Sequence, residues 1–437
     1  MKFSTPIFLI FHYLVPFTLW AEPETPTSLA TCIEIAVTNN SSLKLQQLEL
    51  KRSAIEHRQA HLNRLPGVNA YVSHGFSKGR SVDPTTNLFT EQSFGYGNQQ
   101  LSADMTLFNG FQTLHNIRAR ANALKASTYT YEAALINLKL DVVEAYLQVQ
   151  TAEQMTEQFE QQVALMKEQL RRSSILHTEG AIPPNDFYDL SGQVKREEQQ
   201  LEQSKNNSQR MRLRLANLME IPASDLGPLQ LISIPQETSN LVAEEVFGQA
   251  SEGMPIMKAQ AFKIKEATNY YKSAKGNYLP SISIGAGIGG QYSNKVEAPY
   301  FDQFQNNLGR SISASLRIPI FNRLQTFNQV KMAKVSVDQA TIMQNQQKET
   351  VREQTAQKIL ELEIAREGIR SLEQQLALYE ESFRIAQVQF DAGNSNSYLY
   401  LAAKNKLDQT QRELLILQNT YILQKYIQDS YMGHLNL

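Results

Sequence analysis

Two hydrophobic periods alternate along the chain. In the longest segment apolar positions recur every three and four residues, which is the spacing of a coiled-coil helix. This first seam comprises Leu135, Leu138, Val142, Ala145, Val149, Ala152, Thr156, Phe159, Val163, Met166 and Leu170. A second seam with the same spacing comprises Leu362, Ala365, Ile369, Leu372, Leu376, Tyr379 and Phe383. Both seams predict long helices that pack against other helices.

The lengths of the helical segments predict how they pack. No proline occurs between Asn109 and Gly180, so a single helix on the order of 100 Å is expected there. The segments 28–64 and 184–220 flank it and are each about half as long. Stacking the two shorter helices end to end beside the long one is the economical arrangement. The second half of the chain repeats it with 240–276, 322–392 and 397–433.

Four shorter segments have period two instead. Apolar residues alternate with small or polar residues over about ten positions, the pattern of a strand with two different faces. The predicted strands are about 67–77, 98–108, 281–292 and 310–320. A tilted strand of about ten residues can cross a bilayer. The polar segments 77–91 and 293–307 are therefore expected to be outer loops.

A soluble hairpin with one face on a core is the alternative for these strands. Helices on the order of 100 Å offer no obvious core for it. Four strands also cannot close a barrel, since the smallest useful barrels have about eight, and open sheet edges are not tolerated in lipid. Membrane-spanning strands would therefore require two, three or more chains to share one barrel. Asp104 and Arg317, on the polar faces, would then point into a water-filled lumen.

The chain contains an internal repeat. Leu65-Pro66 recurs 214 residues later as Leu279-Pro280, and Gly180 recurs 213 residues later as Gly393. The predicted units are 22–220 and 240–437, joined by a proline-containing linker at 221–239.

The N-terminus predicts export from the cytoplasm. Residues 1–21 combine Lys2, a mostly apolar run and Ala21, as in a cleaved signal peptide. Residues 29–32 faintly resemble a lipoprotein cleavage box, but Thr31 is larger than the residue expected there. A buried helical position is the expectation for Cys32.

Composition narrows the function classes. The 437 residues include 42 Lys and Arg against 43 Asp and Glu, which argues against a nucleic-acid-binding protein. A single cysteine excludes an internal disulfide framework. A mean hydropathy of −0.38, with no long apolar run beyond the N-terminus, excludes a helical membrane bundle but not a membrane β-barrel.

Candidate chemistry is sparse. No glycine-rich phosphate loop, G-x-S-x-G or H-E-x-x-H motif occurs, so neither an enzyme nor a resident cofactor is expected. His57 and His61 have a spacing that could bind a metal, although a solvated helix face is the commoner explanation.

The ordered set of signal peptide, duplication, strand pairs and heptad helices resembles the TolC-like outer-membrane efflux protein family, the outer-membrane factors. Leu65-Pro66 and Leu279-Pro280 match the family's entry into its strands, and Phe108-Asn109-Gly110 matches the return to helix. The glycine turns Gly180-Ala181 and Gly393-Asn394 match the far helical tips, where an adaptor would bind.

This resemblance implies a mainly α fold with a β part. Long antiparallel coiled-coil helices would form a periplasmic tunnel. Four transmembrane strands per chain would contribute to a shared, twelve-stranded barrel of a homotrimer in the outer-membrane lipid of a Gram-negative bacterium. The implied function is a passive exit duct in tripartite efflux or type I secretion. Its partners would be a periplasmic adaptor (membrane fusion) protein and an inner-membrane transporter of the RND, ABC or a similar class. The alternative is a periplasmic coiled-coil adaptor or scaffold.

A closed tunnel end requires a constriction, and rings of carboxylates would bind cations there. In the family, acidic residues follow the second glycine turn, but this chain has Leu399 and Ala402 at those places. Our hypothesis is that Asp186, Asp189 or Asp391 lines the constriction, with Leu399 adding an apolar ring. The alternative for Asp186 is a first-turn residue stabilised by the helix dipole.

Overall fold

The computed structural model describes residues 26–82, 85, 87–90, 93–233 and 242–433. The predicted signal peptide lies outside the described residues, as does 234–239 of the predicted linker. Those two predictions stay predictions.

Helices dominate the chain, and a pair of long strands interrupts each half. The helices are α1 (Leu29–Asn39), α2 (Ser41–Leu62), α3 (Gln112–Thr178), α4 (Pro184–Met219), α5 (Ala243–Gly253), α6 (Pro255–Lys275), α7 (Tyr300–Asn306), α8 (Gln325–Asp391) and α9 (Ser397–Tyr431). The strands are β1 (Gly67–Ser77), β2 (Ser81–Val82), β3 (Phe89–Thr90), β4 (Phe94–Asn109), β5 (Ser281–Ser293) and β6 (Gly309–Arg317). Helices α3 and α8 have 67 residues each, which makes them on the order of 100 Å long, as predicted. None of the described helices is apolar over a stretch long enough to cross a membrane.

The half-length helices that precede the strands are each broken in two, which the sequence analysis did not predict. In the first, the Asn40 side chain caps α2 by accepting a hydrogen bond from the Leu43 amide at 3.0 Å. In the second, Pro255 is the first residue of α6. Proline has no amide hydrogen to donate, so it interrupts a helix when it lies in the interior. At the first helical position that hydrogen is not needed, and proline is well suited there. Each break therefore coincides with a strong local start signal.

The predicted end-to-end stacking of half-length helices is confirmed at the junction of α4 with α2. The side-chain amides of Asn39 and Asn40 donate to the last carbonyls of α4, those of Met219 and Leu218, at 3.3 and 3.2 Å. In return, the Glu220 carboxylate accepts from the Ser41 amide at 2.6 Å and from its hydroxyl at 2.8 Å. The backbone amide of Ser41 is the main reason that the pKa of Glu220 is lowered. The free backbone groups at each helix end are thus paired with side chains from the end of the other helix.

The four long strands form one antiparallel sheet in the order β1-β4-β5-β6. Asp104 lies opposite Gly67 on one side and Gly285 on the other, and Gly285 lies opposite Ser313. Because directly opposite residues share a face, one face carries Gly, Ser, Asn and Gln side chains, and the other carries Val, Ile and Leu. The two faces are those that the alternating pattern predicted.

Strand β6 is shorter than predicted. Its pairing with β5 ends at Arg317 opposite Ser281, and 318–320 lie outside the strand. Ser281 is the first residue of β5, so the ladder has no partner beyond it, and Pro319 has no amide hydrogen to donate. The two expected outer loops also contain short elements, the β2–β3 pair and helix α7.

The helices extend the sheet in the same lateral order. Helix α2 precedes β1, α3 follows β4, α6 precedes β5, and α8 follows β6. Helix α3 packs against α2 and α6, and α6 packs against α8. The four helices α2-α3-α6-α8 therefore form one layer that continues the four strands, with α2 and β1 at one edge and α8 and β6 at the other.

Candidate functional site

The two helical hairpins end in matching glycine turns. Gly180 and Gly393 adopt the left-handed conformation, with φ of 71° and 74°. The following amides close the helix ends, Ala181 on the Leu176 carbonyl and Asn394 on the Gln389 carbonyl, at 2.8 and 2.9 Å. A side chain is strained in that conformation, which explains glycine at both places. All four predicted turn residues are exposed at the tip.

Asp186 and Asp189 lie beside the tip, but Asp186 does not face solvent. Asp186 is 7% exposed, and one carboxylate oxygen accepts from the Ser397 amide at 3.0 Å and from its hydroxyl at 2.7 Å. Asp189 is exposed, and the same hydroxyl lies 3.1 Å from its carboxylate. Asp186 is thus in the first turn of α4 and also binds the first amide of α9. The position in the first turn agrees with the helix-dipole alternative for Asp186. The hydrogen bonds to Ser397 connect the first repeat with the second.

The other two constriction candidates are exposed. The Asp391 carboxylate, at the end of α8, accepts from the Gln169 side chain of α3 at 3.1 Å. Leu399 is 54% exposed in the first turn of α9, next to the exposed Tyr398. Asp189, Asp391 and Leu399 therefore surround the same tip, and their role at a constriction stays a prediction.

A buried charge cluster above the tip was missed by sequence reasoning. Lys404 of α9 is 1% exposed, and its ammonium lies 2.8 Å from the Glu197 carboxylate of α4. It also pairs with Asp408, one turn further along α9. Glu197 accepts a second bond from Gln193 at 3.1 Å. Charged residues on Gln- and Lys-rich helices are usually solvated, and only the i,i+4 spacing of Lys404 and Asp408 was visible in the sequence.

Tyr400 packs between this cluster and the tip. Its ring stacks on Phe390 with centroids 5.1 Å apart, and burial raises the pKa of its hydroxyl. Within the described residues, neither the Tyr400 hydroxyl nor the Glu197 Oε2 has a hydrogen-bond partner. Buried polar atoms without partners are uncommon in proteins, and here two lie near the contact between α4 and α9.

The sheet places Asp104 and Arg317 on the same face. Both side chains are exposed. Asp104 lies opposite Gly285 of β5, and Gly287 and Gly289 follow Gly285 on the same face of that strand. The neighbouring positions of β6 are Ser311, Ser313 and Ser315. Small residues leave the space over this face open, so the two charges have few competing side chains nearby.

Comparisons with known proteins identify the same architecture elsewhere. A family model described as "Outer membrane efflux protein" matches residues 32–219 and 246–425. Outer membrane protein OprJ of Pseudomonas aeruginosa is 21% identical over 390 residues, which is 88% of this chain and 79% of that protein.

Solved structures share the fold at lower identity. The outer membrane protein VceC of Vibrio cholerae superposes with a TM-score of 0.80 at 18% identity, over 93% of this chain and 96% of that chain. The MtrE outer membrane channel of Neisseria gonorrhoeae, in its open state, gives a TM-score of 0.77 at 17% identity, over 93% and 89%.

Proposed function

The chain belongs to the outer membrane efflux protein family, and from that premise we propose that it is the exit duct through which a tripartite export system empties across the outer membrane. It is an outer-membrane efflux channel with a β-barrel part and a periplasmic helical tunnel. The observation that carries this conclusion is the match of the family model to both halves of the chain. Each of these halves contributes two strands to the four-stranded sheet and two helices to the layer that continues it.

The working form that we propose is a homotrimer. Among the described strands, β1 and β6 each pair on one side only. Open edges in lipid would leave backbone groups without partners, and four strands are too few to close a barrel. Pairing β6 of one copy with β1 of the next removes every open edge, and three copies supply twelve strands.

Exposed apolar side chains on the edge helices support the same assembly. Helix α2 exposes Leu45, Leu48, Ile55 and Leu62, spaced three and seven residues apart. Helix α8 exposes Met332, Val335 and Ile342 with the same spacing. Both stripes lie at the edges of the helical layer, where a neighbouring copy would cover them.

The mass of the mature protein, extracted in detergent from purified outer membranes, tests this proposal. We expect a mass near three protomers that falls to one protomer on boiling. A soluble periplasmic monomer would contradict it and would favour the alternative, a coiled-coil adaptor or scaffold.

The exposed tip is the surface that we propose for the periplasmic adaptor. Gly180, Ala181, Gly393 and Asn394 form its two turns, and Tyr188 and Tyr398 add exposed aromatic side chains. An inner-membrane transporter of the RND, ABC or a similar class would supply the energy. The duct itself would be passive, and we propose no catalytic step for it.

Asp189 and Asp391, with the apolar Leu399, are the side chains that we propose for the constriction at this end. Asp186 would act on it indirectly, by fixing the start of α9. The double variant Asp186→Asn with Asp189→Asn removes two negative charges per chain. Single-channel recordings should then show reduced cation selectivity, whereas unchanged conductance and selectivity would exclude Asp189 from the constriction and Asp186 from the indirect role.

On the polar face, Asp104 and Arg317 are the charges that we propose for the barrel lumen.

A further inference from the structure

The two histidines at the end of α2 lie closer together than their helical spacing requires. The Nε2 atoms of His57 and His61 are 3.3 Å apart. The ring centroids are 4.9 Å apart, and the rings are nearly perpendicular, at 82°. His57 is half-buried and His61 is exposed, so water and small ions can reach the pair.

This distance suits two ligands of one metal ion. A late transition metal binds imidazole nitrogen at about 2.0–2.1 Å. Two such nitrogens subtending about 90° to 109° at the metal are about 2.9–3.4 Å apart. The two nitrogens thus already have the separation of a chelate. Without a metal the same contact is one N–H···N hydrogen bond, and on metal binding the displaced proton is carried on Nδ1 of that ring.

Within the described residues, the surroundings offer the two imidazoles no third protein ligand. The neighbouring carboxylate of Glu56 is engaged by Arg120 at 2.7 Å. In the described part of the chain, no three His, Cys, Asp or Glu side chains form a group that could hold a metal. Water would complete the coordination. Imidazole ligands without carboxylates favour Cu²⁺, Ni²⁺ and Zn²⁺ over Mg²⁺ and Ca²⁺, with Cu²⁺ bound most tightly.

We propose that His57 and His61 form a bidentate site for a divalent late transition metal, one per chain. The site lies in the last turns of α2, which ends at Leu62, five residues before β1 begins at Gly67. A metal there links two successive turns at the point where the helical layer passes into the sheet. The proposal depends on α2 alone and not on the proposed assembly.

Binding of Cu²⁺ to the detergent-purified protein, prepared without a polyhistidine tag, tests the site. Titration calorimetry gives the affinity, and the nitrogen hyperfine pattern in electron paramagnetic resonance counts the imidazole ligands. We expect one Cu²⁺ per chain with two nitrogen ligands. His57→Ala or His61→Ala should weaken binding at least about tenfold and remove one nitrogen, whereas His177→Ala at the helical tip should change neither.

A variant with the same number of histidines gives the matched control. Gln59→His combined with His61→Gln moves one imidazole to a position two residues from His57. Residues two apart on a helix do not face each other, so this variant should bind as weakly as His61→Ala. Wild-type affinity in this variant, or in His57→Ala with His61→Ala, would overturn the proposal. All the substituted side chains are at least partly exposed, and circular dichroism verifies that each variant keeps its helix content.

Discussion

At the scale of single residues, Asp186 performs two tasks with one carboxylate. It lies in the first turn of α4, where a negative charge is favourable, and it accepts both polar hydrogens of Ser397 at the start of α9. Four helical amides at an N-terminus lack partners within the helix. In α9, Asn396 supplies one acceptor from its own repeat, and Asp186 supplies another from the other repeat.

Removing the Asp186 carboxylate should loosen the start of α9. In Asp186→Ala the Ser397 amide loses its acceptor, at a cost of about 1–2 kcal/mol, as for other helix caps. Hydrogen exchange in the first turn of α9 should accelerate. Asp189→Ala is the control, because Asp189 contacts only the Ser397 hydroxyl. Equal exchange rates in the two variants would mean that Asp186 is not the cap.

The buried thiol of Cys32 should be inert in the folded protein. Cys32 is 0% exposed in α1, and burial raises the pKa of its thiol from 9.0 to about 11. Burial is also the main cause that raises the pKa of nearby Tyr146 from 10.0 to about 12. We expect no reaction with thiol reagents at pH 8 until the protein unfolds.

The same two groups make stability depend on alkaline pH. The unfolded chain releases both protons at a lower pH than the folded chain does. The two groups therefore make their full contribution to the stability of the fold below about pH 9, and this contribution declines as the pH rises towards 11 and 12. Unfolding transitions recorded between pH 8 and about 11 should shift steadily to lower temperature. Cys32→Ala should show a shallower decline, and an identical decline would exclude a contribution from the thiol.

At the scale of elements, the buried cluster of Lys404, Glu197 and Asp408 lies at the contact between α4 and α9. A buried ion pair adds little net stability, but removing one partner leaves an uncompensated charge, at about 3–5 kcal/mol. Lys404→Met should therefore lower the unfolding midpoint strongly, measured by circular dichroism in denaturant.

Replacing the whole cluster supplies the control for that prediction. Lys404→Met combined with Glu197→Leu and Asp408→Leu leaves no charge buried, so it should recover much of the lost stability. A triple variant less stable than Lys404→Met would mean that the cluster contributes through its hydrogen bonds rather than through charge balance.

Sequence reasoning was most successful for elements whose signal is local and long. The seams through Leu138 and Leu376 predicted α3 and α8, because a period sustained over many turns leaves few alternatives. The breaks at Pro255 and Asn40 both carry local helix-start signals, a proline at the first helical position and an Asn side chain that caps α2. The contact of Asn40 with Leu218, nearly 180 residues away, is the part that no local pattern contains.

At the scale of the whole molecule, the exposed apolar stripe of α2 should stabilise the assembly. Ile55 is 58% exposed in the described chain, and a neighbouring copy would bury it. Ile55→Glu would place a charge in that contact and should reduce the heat-labile oligomer on unboiled gels. Ala54→Glu, exposed but outside the stripe, is the matched control. Equal oligomer in both variants would contradict the predicted interface.

By itself, the sequence determined the periodic features of this protein. Heptad seams and period-two strands depend only on neighbours along the chain, and the duplicated landmarks at a constant offset required no structure to be seen. The two faces of the sheet, with Asp104 and Arg317 on the polar one, follow from the same alternation.

Only the tertiary structure decided which distant residues meet. The sequence could not pair Asp186 with Ser397 or Lys404 with Glu197, because more than 200 residues separate the members of each pair. It also could not fix the orientation of the His57 and His61 rings, which depends on side-chain conformation as well as spacing. Burial and hydrogen bonding between helices depend on how the two repeats pack, and that is a property of the folded chain.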